Sequence, residues 1–185
     1  VIAYDVASMD DSISQSAGGT FEAPVTIRTS DNNTQLTLES TDADATFGPV
    51  LDLHRNSSSP ADADATGRIN FKAENDAGET ITYAQAFSSI LDVTDGTEDG
   101  RYKIGTMVAG SFDSRMDMTN TETVFNEDSN DIDFRVESDG NTHMLFLDAG
   151  NNNVGIGMSP TGVLDIKSDG GADSINLVHS GNTVQ

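Results

Sequence analysis

The chain has 185 residues, 35% hydrophobic and 6% aromatic, with no Trp and no Cys, and 31 acidic against 9 basic side chains give a formal charge of −22. Self-contained domains of this length ordinarily have an apolar share near ~45–50%, so the composition argues against a thick private core. The absent cysteines exclude disulfides and thiolate metal sites, the scarce Lys and Arg exclude a nucleic-acid partner, and no run nears the ~18 apolar residues of a membrane span.

At the N-terminus, Ile2, Val6, Met9 and Ile13 follow a 4-3-4 spacing, a heptad seam that Gly18-Gly19 would end. Ile2, Tyr4 and Val6 alternate as a strand would, so residues 1–22 are read as a linker or a short helical segment. From Ala23 onward the signal is β. Val25 and Ile27, then Leu36 and Leu38, alternate with polar residues around a turn at Ser30-Asp31-Asn32-Asn33. Leu51 and Leu53 follow, then Ile69 and Phe71, then Ile81, Tyr83 and Phe87, which the period-2 pattern puts on one face with Gln85 interrupting. Beyond the turn Asp95-Gly96-Thr97-Glu98-Asp99-Gly100 come Tyr102, Ile104, Thr106 and Val108; Phe112, Met116 and Met118 lie in phase. In Asp131-Ile132-Asp133-Phe134-Arg135-Val136-Glu137, three apolar residues face inward and four charges outward. Low hydropathy with high charge also describes disorder, but such regular alternation predicts many short strands, an all-β fold.

The stretch NNNVGIGMSPTGVLDI (residues 151–166) offers two glycines of a dinucleotide fingerprint, Gly155 and Gly157. Pro160 stands where the third is needed, and a short β-rich run follows instead of a helix, so a tight corner between strands is expected. Glycine alternating with Val154 and Ile156 implies that something approaches one face closely; a neighbouring chain is the expected visitor.

Two repeats organise the chain. DADAT occurs at residues 42–46 and 62–66, and residues 24–40 align without gaps on 163–179 at an offset of 139, Ile27 meeting Ile166 and Leu36 meeting Ile175. Residues 23–161 thus form one β-rich module and 162–185 the start of a second. Gln185 then falls opposite Thr46, partway through the repeat, so the natural chain is expected to continue.

Residues 121–166 resemble modules of bacteriophage tail-fibre and related virion proteins, the marine type especially. The likeness lies in Phe134-Arg135-Val136-Glu137-Ser138, Leu145-Phe146-Leu147-Asp148 and Val154-Gly155-Ile156-Gly157, followed by Pro160 and Leu164-Asp165-Ile166. Residues 36–76 resemble them too. Met158-Ser159 before Pro160 is one residue shorter than the usual spacing, which affects the turn and not the strands. The resemblance implies an elongated, intertwined homotrimer of β-strands without catalysis, located in the virion. Its partners would be its own copies, other tail proteins and, through more distal residues, a host receptor. Ile132, Phe134, Val136, Val154, Ile156, Leu164 and Ile166 would form the trimer core.

Chemistry is otherwise declined. With 31 carboxylates, pairs suited to glycoside hydrolysis occur by chance, but rings for sugar stacking are few, and Gly-x-Ser-x-Gly is absent. Asp62, Asp64 and Thr66 match the opening of an EF-hand calcium loop, yet position 12 is Ala73, so an Asp-rich turn is preferred. His54, His143 and His179 are isolated. No catalytic residue, metal or cofactor is expected. The alternative function is an adhesin-like module that binds a host glycan or protein itself, or a head fibre.

Overall fold

The computed structural model describes residues 21–167 and the two short strands Val178–His179 and Asn182–Thr183. The expected N-terminal helix (1–22) and residues 168–177 of the second repeat lie almost wholly outside the described residues. Among the described residues the chain is all-β with no helix. It divides into two units, residues 1–52 and 53–185.

Described residues of the first unit form no strand. The expected turn is present: the Asp31 carboxylate accepts from the backbone N–H and side-chain amide of Asn33, at 3.1 and 2.8 Å. The flanking runs do not pair, however, and Val25, Ile27, Leu36 and Leu38 are all exposed. The expected hairpin is therefore corrected to unpaired chain without regular secondary structure. Alternation supplies the apolar face of a strand, but a strand also needs a partner for its backbone groups. Nor do Leu51 and Leu53 lie in a strand.

The second unit holds an antiparallel meander of five strands: β1 (Ala65–Glu74), β2 (Thr80–Asp92), β3 (Asp99–Val108), β4 (Ser111–Met118) and β5 (Thr123–Phe125). Its turns follow from local chemistry. Asn75 Oδ1 accepts from the N–H groups of Ala77 and Glu79 to close β1–β2, and Ala109 and Gly110, both at positive φ, form the two-residue β3–β4 turn.

Bulges correct two face assignments. Phe71 faces Ala84 while Lys72 faces Thr82, so Tyr83 is the extra residue. Counting across from β1, Ile81 (opposite Ala73) and Phe87 (opposite Arg68) then stand on opposite faces. Likewise Ile104 faces Met116 while Gly105 faces Ser114, leaving Arg115 extra. Phe112 is thereby turned away from Met116 and Met118 and meets Phe87 instead, ring centroids 6.5 Å apart.

A second, four-stranded sheet follows: β6 (Phe134–Val136), β7 (Leu145–Asp148), β8 (Asn153–Ile156) and β9 (Leu164–Ile166). β6, β7 and β8 pair antiparallel, and β9 lies parallel to β8. The strand at 164–166 that sequence assigns to a second module thus completes the sheet of the first. Its repeat counterpart, Val25 to Ile27, forms no strand. The remaining pair, β10 (Val178–His179) and β11 (Asn182–Thr183), is a two-residue ladder.

Among the described residues, Phe146 is the one large apolar side chain that is buried. The other buried side chains are Pro160 and three polar ones, Asp113, Ser114 and Asp117 in β4. This partition is the reverse of a globular domain's.

Candidate assembly surface

The register of the second sheet sorts its side chains into rows. Phe134, Leu147, Val154 and Leu164 stand opposite one another across the four strands, and so do Val136, Leu145, Ile156 and Ile166. The two rows are two residues apart along each strand, so they share a face. That face has eight apolar side chains and no polar one. Six of the seven residues expected to form a trimer core are therefore brought together: Phe134, Val136, Val154, Ile156, Leu164 and Ile166. The seventh, Ile132, precedes β6 and lines the cleft described below. Leu145 and Leu147 belong with them and were missed, although their alternation around Phe146 was the available signal.

This face is open. Leu164 is 59% exposed, and Val136, Leu147, Ile156 and Ile166 each about 40% or more. A contiguous apolar patch of this kind marks an interaction surface. At one end it runs into a cleft of about 770 Å³, with walls from Phe125, Ile132, Phe134, Leu145, Leu147 and Val154. The Phe125 and Phe134 rings meet there at 4.9 Å. Asn126, Ser129 and Asn152 form part of its rim, all at positive φ.

The opposite face is closed by the chain itself. Its row across the strands is Arg135, Phe146, Gly155 and Asp165. The His143 ring stands edge-on to Phe146 at 5.0 Å, and the segment 158–160 crosses Gly155 so tightly that a Cβ there would run into the Met158 carbonyl and come within 2.9 Å of Pro160 Cδ. The close approach inferred at Gly155 is real, but the visitor is the same chain and not a neighbour. Gly157 answers a different need, a φ of +77° at the corner. The corner is tied down on both sides: Asn141 Nδ2 donates to the Gly157 carbonyl at 3.0 Å, and the Asp165 carboxylate accepts from Thr161 N–H at 2.6 Å and Gly162 N–H at 3.1 Å. Those donors hold the Asp165 carboxyl below the ordinary carboxylate range. Two parallel strands are thus joined by only residues 157–163, far fewer than the dozen or so of a usual crossover.

The five-stranded sheet carries its charge inside. Asp117, 1% exposed, lies opposite Lys103 across the ladder and accepts from Arg101 Nε at 2.7 Å and Lys103 Nζ at 2.9 Å. Chiefly the Arg101 hydrogen bond, opposed by burial and aided by Lys103, lowers its pKa to about 2. Asp128 reaches back to accept from the Ser114 N–H at 2.6 Å. This ion cluster shows no nucleophile–base pairing and reads as an internal brace.

The calcium candidates are otherwise engaged. Asp62 Oδ1 accepts from Val93 N–H at 2.9 Å, while Asp64 bonds Ala61 N–H at 3.1 Å and pairs with Arg55 at 3.1 Å. Thr66 lies in β1. Among the described residues no group of three or more acidic, His or Cys side chains could hold a metal, and no helix is long and apolar enough to cross a membrane. No protein-family model matches the chain, and no curated protein matches it.

Proposed function

We propose that this chain is a non-enzymatic structural part of a bacteriophage tail fibre, a homotrimeric β shaft that holds a host-binding region away from the virion. The observation that carries the reading is the open eight-residue apolar face, on a chain whose described part buries one large apolar side chain. Three copies meeting along that face would remove it from water; at about 25 cal/mol per Å² this is the term a thin β chain otherwise lacks. The resemblance of residues 121–166 to virion fibre modules supplies the setting, with other tail proteins as further partners. Native mass spectrometry tests it: three copies of the 19.5 kDa chain are expected, and a compact, stable monomer would refute the reading.

A second reading rests on the cleft beside Phe125 and Phe134. Aromatic walls with an amide-rich rim suit a glycan ring, so an adhesin-like module is the alternative. Binding of host cells by the purified chain, blocking phage adsorption, would favour it over the shaft.

A further inference from the structure

The strand β1 is an edge. It pairs with β2 on one side, and among the described residues no strand lies on its other side. Leu53 meets it at Gly67 and Arg55 at Ala65, and from Arg68 to Glu74 no strand among the described residues pairs with its outer side. Such an edge is a template for another strand. Its two faces differ sharply: Ile69 and Phe71 are exposed on one, Arg68 and Lys72 on the other. Neither cation has a carboxylate within ion-pair distance among the described residues, on a chain of charge −22.

Residues 35–40, Gln-Leu-Thr-Leu-Glu-Ser, have the complementary form. Leu36 and Leu38 are 60% and 44% exposed and lie outside any strand, without a strand partner among the described residues. Period-2 alternation puts them on one face and Glu39 on the other. Laid along β1 with the leucines beside Ile69 and Phe71, the segment brings Glu39 to the side of Arg68 and Lys72. A one-residue slip would set leucine against cation, so the pattern fixes the facing. We propose that residues 35–40 of a second copy add a strand to the β1 edge, so that the copies are interleaved as well as packed. This rests on the self-assembly reading and goes beyond it by naming a second contact, made through the backbone.

The chain has no cysteine, so introduced pairs report cleanly. Leu38→Cys with Phe71→Cys, oxidised in the full chain, is expected to give disulfide-linked multimers on a denaturing gel; monomers closed by an internal disulfide would overturn the second-copy assignment. In parallel, hydrogen exchange in residues 65–74 is compared between the parent chain and the Leu36→Asp, Leu38→Asp double variant. Loss of pairing should speed exchange by about tenfold or more at the open-edge amides. Glu39→Lys should weaken protection of that strand and Lys72→Glu in the same chain should restore it. A parent chain that is trimeric by mass yet exchanges at the same rate as the double variant would sink the strand addition and leave the trimer standing. A monomeric parent would sink both.

Discussion

Asp117 shows what a single side chain contributes to the five-stranded sheet. Its carboxylate neutralises part of Arg101 and Lys103 in a place water scarcely reaches. Asp117→Asn would leave two cations without their counter-ion, at a cost on the order of 3–5 kcal/mol, visible as a lowered urea midpoint. Its pH signature follows from the lowered pKa, about 2 against an ordinary 3.8. Because the folded value lies below the unfolded one, the stabilisation is complete above about pH 4 and is lost as pH falls through 2. The stability gap between parent and variant should therefore narrow over that interval in melting curves. Gly155 makes the opposite point, that an absent side chain can be required. Gly155→Ala forces its methyl into the Met158 carbonyl and Pro160 and should cost about 1–3 kcal/mol. Gly140→Ala, with nothing within 4 Å, should stay within about 0.5 kcal/mol by the same denaturation curves.

Among the elements, the short strands β6 to β9 carry the proposed assembly. Ile156→Asp would set three carboxylates together in a dry contact and should abolish oligomers in size-exclusion chromatography. Arg135→Gln, which loses only a half-exposed pair with Glu137, should leave the elution volume unchanged. Much of this sheet was legible in the sequence, because Phe134-x-Val136, Val154-x-Ile156 and Leu164-x-Ile166 alternate cleanly and face parity follows from alternation alone. The bulges were not. Nothing local in Tyr83 or Arg115 marks either as the extra residue, since a bulge is decided by how two strands mesh, and each one reverses the face of everything beyond it. The hairpin expected around Asp31 failed for a related reason: Val25 to Ile27 and Leu164 to Ile166 are equivalent in the repeat, yet only the second has β8 beside it. The Ala109-Gly110 turn escaped notice because Ala is a poor marker of positive φ.

For the whole molecule, charge sets the conditions under which the copies can meet. Three copies would carry three times −22, or −66, and that repulsion opposes the gain from closing the apolar face. Salt shortens its range, from a Debye length of about 30 Å at 0.01 M to about 8 Å at physiological strength. The melting temperature should therefore climb between dilute buffer and seawater-like salt, and a flat or falling curve in differential scanning calorimetry would count against a charged assembly.

The corner at 157–163 has a consequence for how far association can go. By folding across Gly155, beside the His143 ring that covers Phe146, it makes the four-stranded sheet a one-sided tile, open on one face and tiled over on the other. Sheets with two bare apolar faces stack without limit, each addition exposing a fresh surface for the next. A tile that is sticky on one side only is used up when the sticky sides meet. Growth by face-to-face stacking of this sheet must then halt at a small closed cluster, and the glycine that admits the corner is what sets that limit.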